Sequence, residues 1–256
     1  MGPGIIVGLV SERRALLAGF AEYQSPSGSA GSEQGSVDQE DIRIEIAAGD
    51  WHRAKTAALS LVERGAAALV SIGVAGGCNP EASPGDIVLP KQVIQPDHRL
   101  HTVGADWHAH VCAKLSEHAD AEKHPRLFTG PLLGNNAALT TAQAKRGAFT
   151  ELSAEAVDME SLGVAQAAEE AGVPFGVIRI VLDRWDDMIP EAAMAGMGQS
   201  GDTQILPVIS ALMKKPRNLP QQIPGLIKLG KSNAIALKQL RSVARSLGPN
   251  LGFTLV

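Results

Sequence analysis

Two continuous apolar segments constrain the fold of this chain more than any other feature. Residues 4–10 and 66–72 are both apolar and rich in β-branched side chains, without the alternation of a half-exposed strand. Runs of this kind are typical of strands buried on both faces, as in parallel sheets. The second run ends in a glycine-rich turn at 73–77, where ligands of open α/β sheets commonly bind.

Helical segments separate the predicted strands. Residues 11–14 predict a polar turn before a first helix at 15–20, and a second helix is predicted at about 51–64. A helix at 159–171 lies between apolar segments at 154–157 and 172–182, which is the size of a parallel crossover unit. This alternation predicts an α/β fold. Residues 86–94 predict a further strand, in which Pro90 indicates an edge or a bulge.

The remaining segments indicate one domain over residues 1–256. Residues 24–39 are rich in Ser, Gly, Glu and Gln and predict a mobile loop. The region 217–248 predicts an amphipathic helical tail with basic residues. Such a tail either packs on the sheet or lies on a membrane surface, so peripheral membrane contact is one expectation.

Charge and cysteine content exclude several classes of function. The chain has 23 basic and 27 acidic residues and a formal net charge of -4, which does not favour nucleic acid as a partner. Cys78 and Cys112 form no CxxC motif, and no acidic or cysteine partner completes a metal site with the histidines between 98 and 124. No apolar run reaches the ~20 residues of a membrane span. We therefore expect no metal, free thiols and a cytoplasmic location.

Four polar segments follow or adjoin predicted strands, at 8–14, 73–77, 157–160 and 183–187. In a parallel sheet these ends converge on one crevice. Asp158 and Glu160 stand at the opening of a helix, where acids either cap the helix or act in a site. Asp183 follows an apolar strand and is either a turn residue or a general acid whose pKa is raised by desolvation.

The motifs together resemble the nucleoside phosphorylase and methylthioadenosine nucleosidase superfamily. They are GVAGG at 73–77, PGDIV at 84–88, VDMES at 157–161 and the segment 173–183 that ends in Leu-Asp. The VDMES form, the short loop before it and the helical tail further resemble the hopanoid-associated phosphorylase branch, whose members are thought to remove adenine from adenosylhopane. The resemblance implies a three-layer α/β/α phosphorylase-type fold with a central mixed, mostly parallel twisted sheet. It also implies a homo-oligomer.

The resemblance implies roles for particular residues. Asp183 corresponds to the aspartate that protonates purine N7, and Glu160 to the glutamate that holds the ribose hydroxyls and stabilises an oxocarbenium-like sugar. Met159 packs on the sugar, with Asp158 beside it. Backbone at Ala75 and Gly76 approaches the nucleoside. No cofactor is implied.

The turn after the first strand departs from the family patterns. Nucleosidases place an acid there to activate water, and the nearest candidates are Glu12 and Arg13, with Arg13 at the aligned position. Phosphorylases place a phosphate-binding arginine there, so Arg13 or Arg14 with Ser11 and Gly8 could bind inorganic phosphate as a co-substrate. The alternative is that the two arginines simply begin a solvated helix.

Two further departures concern phosphate and base. The hydroxyl that bacterial phosphorylases carry in the glycine turn is replaced by Val74, which leaves Ser71 as a substitute. The aromatic that stacks on the base falls near Ala138 or Leu139. Trp185 is the nearest aromatic candidate for base binding, although it could equally anchor a loop. The Met-rich segment 188–197 suits a long apolar 5′ substituent, or belongs to the core.

These observations predict an enzyme that cleaves the N-glycosidic bond of an adenine nucleoside and releases adenine. Adenosylhopane, a lipid-linked nucleoside of hopanoid biosynthesis, is the expected substrate, and phosphorolysis, a pentosyl transfer, is the expected reaction. The alternatives are a hydrolytic methylthioadenosine/adenosylhomocysteine nucleosidase and a catalytically silent nucleoside-binding protein.

Overall fold

The computed structural model describes residues 2–23, 42–117, 125–189 and 219–253. The predicted mobile loop at 24–39 and residues 190–197 of the Met-rich segment lie outside these ranges. The strands are β1 (Gly4–Val7), β2 (Ile44–Ile46), β3 (Leu69–Gly77), β4 (Ile87–Val88), β5 (Gln92–Ile94), β6 (Leu100–Thr102), β7 (Leu127–Phe128), β8 (Leu132–Gly134), β9 (Ala156–Asp158) and β10 (Phe175–Asp183). The helices are α1 (Val10–Ala21), α2 (Trp51–Glu63), α3 (Ala105–Ser116), α4 (Ala142–Leu152), α5 (Ser161–Ala171) and α6 (Leu219–Leu247).

The described strands form one sheet in which β3 and β10 are the long central pair. They run parallel from Leu69 opposite Phe175 to Gly76 opposite Asp183. On the other edge of β3, β1 pairs with its first residues and β9 with its last two, so the sheet divides along this edge. The pairings β3–β9, β10–β4 and β5–β6 are antiparallel, and the others among the described strands are parallel. This confirms a mixed, mostly parallel sheet.

Two groups of helices flank the sheet, and close backbone contacts hold each group together. In one group α2 packs on α5, where a Cβ on Gly163 would collide with the carbonyl oxygen of Trp51. In the other group α6 packs on α1 and α3, where a Cβ on Gly19 would collide with the carbonyl oxygen of Arg241. The α/β/α class is therefore confirmed.

The core lies between the sheet and these helices and includes the apolar runs of the sequence. All four residues of β1 are buried, and β3 and β10 are buried over most of their length. Both faces of these strands are covered, because helices pack on each side. This explains why the runs show no polar alternation.

Three sequence predictions about local structure are wrong. Helix α1 begins at Val10, before the predicted polar turn at 11–14, because the Glu12 side chain accepts the free backbone N–H groups at the helix start. The predicted strand at 86–94 is divided into β4 and β5 around Pro90, which cannot donate a ladder hydrogen bond. Strands β9 and β10 do not form a parallel crossover, because β9 pairs antiparallel with β3 and β10 pairs parallel with it.

Candidate active site

A cavity of about 330 Å³ opens at the carboxyl ends of β1, β3 and β10. It brings together segments that are far apart in the chain, as the convergence of strand ends predicts. The lining residues are Gly8, Leu9, Glu12, Gly49, Val74, Ala75, Gly76, Ala138, Leu139, Val157, Asp158, Met159, Glu160, Leu182, Asp183, Ile189, Leu226, Leu229, Gly230 and Asn233.

Glu12 lies at one side of the cavity on the first turn of α1. Its Oε2 accepts hydrogen bonds from the backbone N–H groups of Gly8 (2.7 Å) and Leu9 (2.8 Å), and its Oε1 accepts one from Val74 N–H (2.8 Å). The side chain is buried, and burial raises its pKa, although Arg179 and the three backbone hydrogen bonds oppose the rise. A fixed carboxylate with a raised pKa is suited to accept a proton.

Glu160 lies next to Glu12, with Gly8 between them. A Cβ built on Gly8 would stand 2.6 Å from Glu160 Oε1 and 3.3 Å from Glu12 Oε2. Only glycine leaves room for the two carboxyl groups to approach each other here. Burial, with the nearby carboxylates Asp158 and Glu12, raises the pKa of Glu160 to about 8 against the opposing effect of Arg179.

Arg179 is the buried cation behind these acids. It projects from β10, forms an ion pair with Asp158 and lies 3.3 Å from Glu160 Oε2. Its Nη2 also donates to the hydroxyl of Ser71 at 2.6 Å. Asp158 in addition accepts from Ser161 N–H (2.9 Å) at the start of α5, so it caps that helix as well as lining the cavity.

Asp183 lies at the end of β10, near the glycine turn of β3. A Cβ on Gly76 would be 3.5 Å from Asp183 Oδ1, which is buried and has no hydrogen-bond partner among the described residues. Its Oδ2 is bound by the buried Lys145. Burial raises the pKa of Asp183, and Lys145 opposes that rise.

The rest of the cavity wall is mostly apolar, with Asn233 of α6 as a further polar side chain. Of the described lining residues none is aromatic, so base stacking on an aromatic ring is not part of this wall. Its large apolar side chains come from β10 and the loop after it, from α6, and from segments near residues 139, 157 and 159, namely Leu139, Val157, Met159, Leu182, Ile189, Leu226 and Leu229. The wall can contact an apolar ligand group.

The structure brings most of the predicted site residues together. Eight of them line the cavity, namely Gly8, Ala75, Gly76, Leu139, Asp158, Met159, Glu160 and Asp183. Ser71 lies behind the cavity as an Arg179 partner. The expectation that Arg13 or Arg14 faces the site with Ser11 is corrected. Both arginines are exposed on α1, and neither they nor Ser11 line the cavity. Trp185 is outside the cavity and lies against Arg146.

Sequence reasoning missed four features of the site, namely the inward position of Glu12, the cation Arg179, the buried Lys145 and the α6 wall. The sequence placed Glu12 beside the site, but alignment favoured its neighbour. Arg179 interrupts an otherwise apolar strand, and this charge in a buried run was a usable signal. Lys145 and the α6 wall gave no signal, because nothing local distinguishes a buried lysine on a short helix or predicts where a distant helix docks.

The described residues contain no metal-binding arrangement of His, Cys, Asp and Glu. In the histidine-rich segment His101 pairs with Glu169 and His108 binds the carbonyl oxygen of Leu89, whereas His118 and His124 lie outside the described ranges. Within those ranges no helix has the length and apolar character to cross a membrane.

Comparison with known families identifies the superfamily of this chain. Residues 5–200 match the family profile described as Phosphorylase superfamily. The chain belongs to this superfamily. It is 25% identical over 185 residues to a 5′-methylthioadenosine/S-adenosylhomocysteine nucleosidase of Mycobacterium bovis, a match that covers 59% of this chain and 72% of that protein.

Two solved structures share the fold at lower identity. One is a Helicobacter pylori methylthioadenosine nucleosidase variant with 5′-methylthioadenosine in its active site. It has a TM-score of 0.60 and 18% identity, and the match covers 94% of the present chain and 98% of that chain. Futalosine hydrolase of the same organism has a TM-score of 0.58 and 19% identity, covering 82% and 97%.

Proposed function

We propose that this protein hydrolyses the N-glycosidic bond of an adenine nucleoside and releases adenine. The observation that carries the proposal is the position of three of the four buried carboxyl groups around one cavity, with Glu12 beside Glu160 and Asp183 against the glycine turn. Membership of the superfamily and similarity to adenosine-type nucleosidases support it.

The proposed reaction gives one role to each of Asp183, Glu160 and Glu12. Asp183 gives a proton to purine N7, so that the electron pair of the breaking C1′–N9 bond leaves on a neutral base. Glu160 binds the ribose hydroxyls, and its ionised form stabilises positive charge on the sugar. Glu12 accepts a proton from the water that forms the new C1′–O bond.

The position of Glu12 favours water over phosphate as the nucleophile. Phosphorolysis requires cations at this side of the cavity, but Arg13 and Arg14 are exposed and outside it. The buried Arg179 is paired through Nη2 with Asp158 and Glu160, and it is not among the cavity-lining residues. A dianionic phosphate would meet the Glu12 carboxylate directly, which electrostatics disfavours.

The apolar wall favours a nucleoside with an apolar 5′ substituent. Leu226, Leu229 and Ile189 line the cavity, and α6 also carries the exposed side chains Ile223 and Ile227. Adenosylhopane, the substrate that the hopanoid-associated resemblance suggests, has such a group. The exposed Ile223 and Ile227 on α6 would contact the lipid surface that holds this substrate, or a second copy of the chain in a homo-oligomer.

The test is adenine release, measured by chromatography, from adenosines with 5′ groups of increasing apolar length, with and without phosphate. The expected result is release without phosphate and higher kcat/KM with longer apolar groups. Labelled water would place ¹⁸O on C1′ of the sugar product. Release that requires phosphate would establish phosphorolysis instead, and binding without release would indicate a silent nucleoside-binding protein.

A further inference from the structure

Lys145 is a completely buried lysine directly behind Asp183. Its Nζ donates to Asp183 Oδ2 and to the carbonyl oxygens of Arg184 (3.0 Å) and Asp187 (3.1 Å). An ammonium group has three N–H donors, so all of them are used on three acceptors from one short segment. Burial of a charge is costly unless it is paired and hydrogen-bonded, and these three acceptors supply the pairing that a buried ammonium group requires.

The two oxygens of Asp183 differ in their surroundings. Oδ2 is bound by Lys145, whereas Oδ1 is buried and without a partner among the residues that the structure describes. The free oxygen lies toward the cavity, 3.5 Å from the Cβ position of Gly76. Lys145 therefore fixes the carboxyl through one oxygen and leaves the other for a ligand.

We propose that Lys145 is a positioning residue for proton transfer to the leaving base, orienting the Asp183 carboxyl and neutralising the carboxylate that this transfer creates. The proposal rests on the N-glycosidic cleavage proposed above. The proton moves from Asp183 Oδ1 to purine N7 while the C1′–N9 electron pair leaves on the base. Lys145 keeps its three protons throughout, and its ion pair with Asp183 reaches full strength only after the transfer.

The other ionisable groups that face this pair are Asp187, Lys228 and Cys78. Lys228 binds the Asp187 side chain and is 58% exposed, so solvent screens its charge. Burial raises the pKa of the Cys78 thiol to about 12, which keeps it neutral. Lys145 is thus the unscreened cation in contact with Asp183.

A purely structural role is the alternative. Lys145 ties the segment after β10 to α4, a connection that the hydrogen bond from Ile189 N–H to the Thr140 carbonyl oxygen (3.1 Å) also makes. If this were its only role, loss of the ammonium would slow the cleavage of every leaving group equally. The leaving group therefore separates the two roles.

The experiment compares Lys145→Met with the control Lys55→Met. Lys55 lies on α2 and forms an ion pair with Glu170. Two substrates share one 5′ group, an adenine nucleoside and a 4-nitrophenyl riboside whose leaving group needs no proton. We expect kcat for adenine release to fall ~10²-fold in Lys145→Met, with nitrophenolate release within roughly threefold of wild type. The basic limb of the pH–rate profile should move to higher pH, because the cation that opposes the raised pKa of Asp183 is gone.

Three results would overturn the proposal: equal losses for both leaving groups, unchanged adenine release, or an unmoved pH limb. If Lys145→Met does not fold, Asp183→Asn is compared with the Asp183→Asn, Lys145→Met double variant, which buries no unpaired charge. The second change should then leave kcat for adenine within roughly twofold, and a further large loss would contradict the proposal. Wild-type protein that releases no adenine would instead refute the proposed function.

Discussion

The position of Glu12 decides how the cavity can be used. Its carboxylate binds three backbone N–H groups, two from its own turn and one from Val74 on β3. These contacts fix the side chain before any substrate arrives, which is the preorganisation that the proposed role of Glu12 as a base requires. The same contacts also start helix α1, which makes the base part of the local fold.

We expect Glu12→Gln to lower kcat for adenine release by ~10²–10⁴-fold, because the amide cannot accept the proton from water. Arg13→Gln is the matched control on the same turn and should retain activity within roughly threefold, since Arg13 is exposed. Chromatography of released adenine measures both. A large loss in the Arg13 variant, confined to assays with phosphate, would support phosphorolysis.

The difference between Glu12 and Arg13 also shows where sequence reasoning fails. Motifs located Asp183, Glu160 and Met159 because strand ends fix which residues reach the crevice. On a helix, however, one residue of shift turns a side chain by about 100°, so an uncertain start at Val10 or Ala15 exchanges the inward and outward residues. The charge of Arg179 in an apolar run was visible in the sequence, but its partners, like those of Lys145, depend on tertiary contacts.

Helix α6 forms one apolar wall of the cavity and packs on α1 and β10. Its approach to α1 is close enough that Gly19 lies against the backbone of Arg241. The helix is therefore held by the core on one side while Leu226 and Leu229 line the cavity on the other. Its existence followed from the sequence, but its docking position did not, since amphipathicity identifies no partner.

The α6 wall leads to a prediction about substrate choice. Leu229→Gln should raise KM for an adenosine with a long apolar 5′ group by roughly 10-fold, because burial of a leucine contributes about 1.5–3 kcal/mol. Activity on adenosine itself should change less than about threefold. The exposed Lys238→Ala on the same helix is the control. Equal effects on both substrates would exclude contact between Leu229 and the 5′ group.

Packing between α2 and α5 leads to a stability prediction. Gly163→Ala should lower Tm, because the new methyl group collides with the Trp51 carbonyl, and overpacking costs about 1–3 kcal/mol. Gly147→Ala on α4 has only Glu151 Oε1 at 3.8 Å and should raise stability by about 0.5–1 kcal/mol. Differential scanning calorimetry distinguishes the two. A stabilised Gly163 variant would show that the helices can separate at no cost.

The whole molecule carries several buried acids, and this makes its stability depend on pH. The pKa of Glu160 rises from 4.5 to about 8 on folding, so the folded state binds the proton more tightly than the unfolded chain. Its contribution is most favourable below pH 4.5 and is lost as pH rises toward 8. Burial raises the pKa values of Glu12 and Asp183 as well, with the same sign.

We therefore expect the wild-type Tm to fall between pH 5 and 8, and Glu160→Gln to reduce that fall by roughly 5–10 °C. The amide has no proton to lose and remains able to accept a hydrogen bond from Arg179. Thermal melts in a series of buffers of constant ionic strength measure the effect. Parallel pH curves for the two proteins would contradict the raised pKa of Glu160.

The order of the cavity-lining residues along the chain has a consequence for biosynthesis. The wall begins at Gly8 and is completed by Asn233 on α6, so its first and last contributors leave the ribosome far apart in time. The sheet can form during translation, since domains fold as their residues emerge. The cavity and its apolar wall exist together only after α6 has emerged and docked, so a nascent chain that lacks α6 has an open cavity.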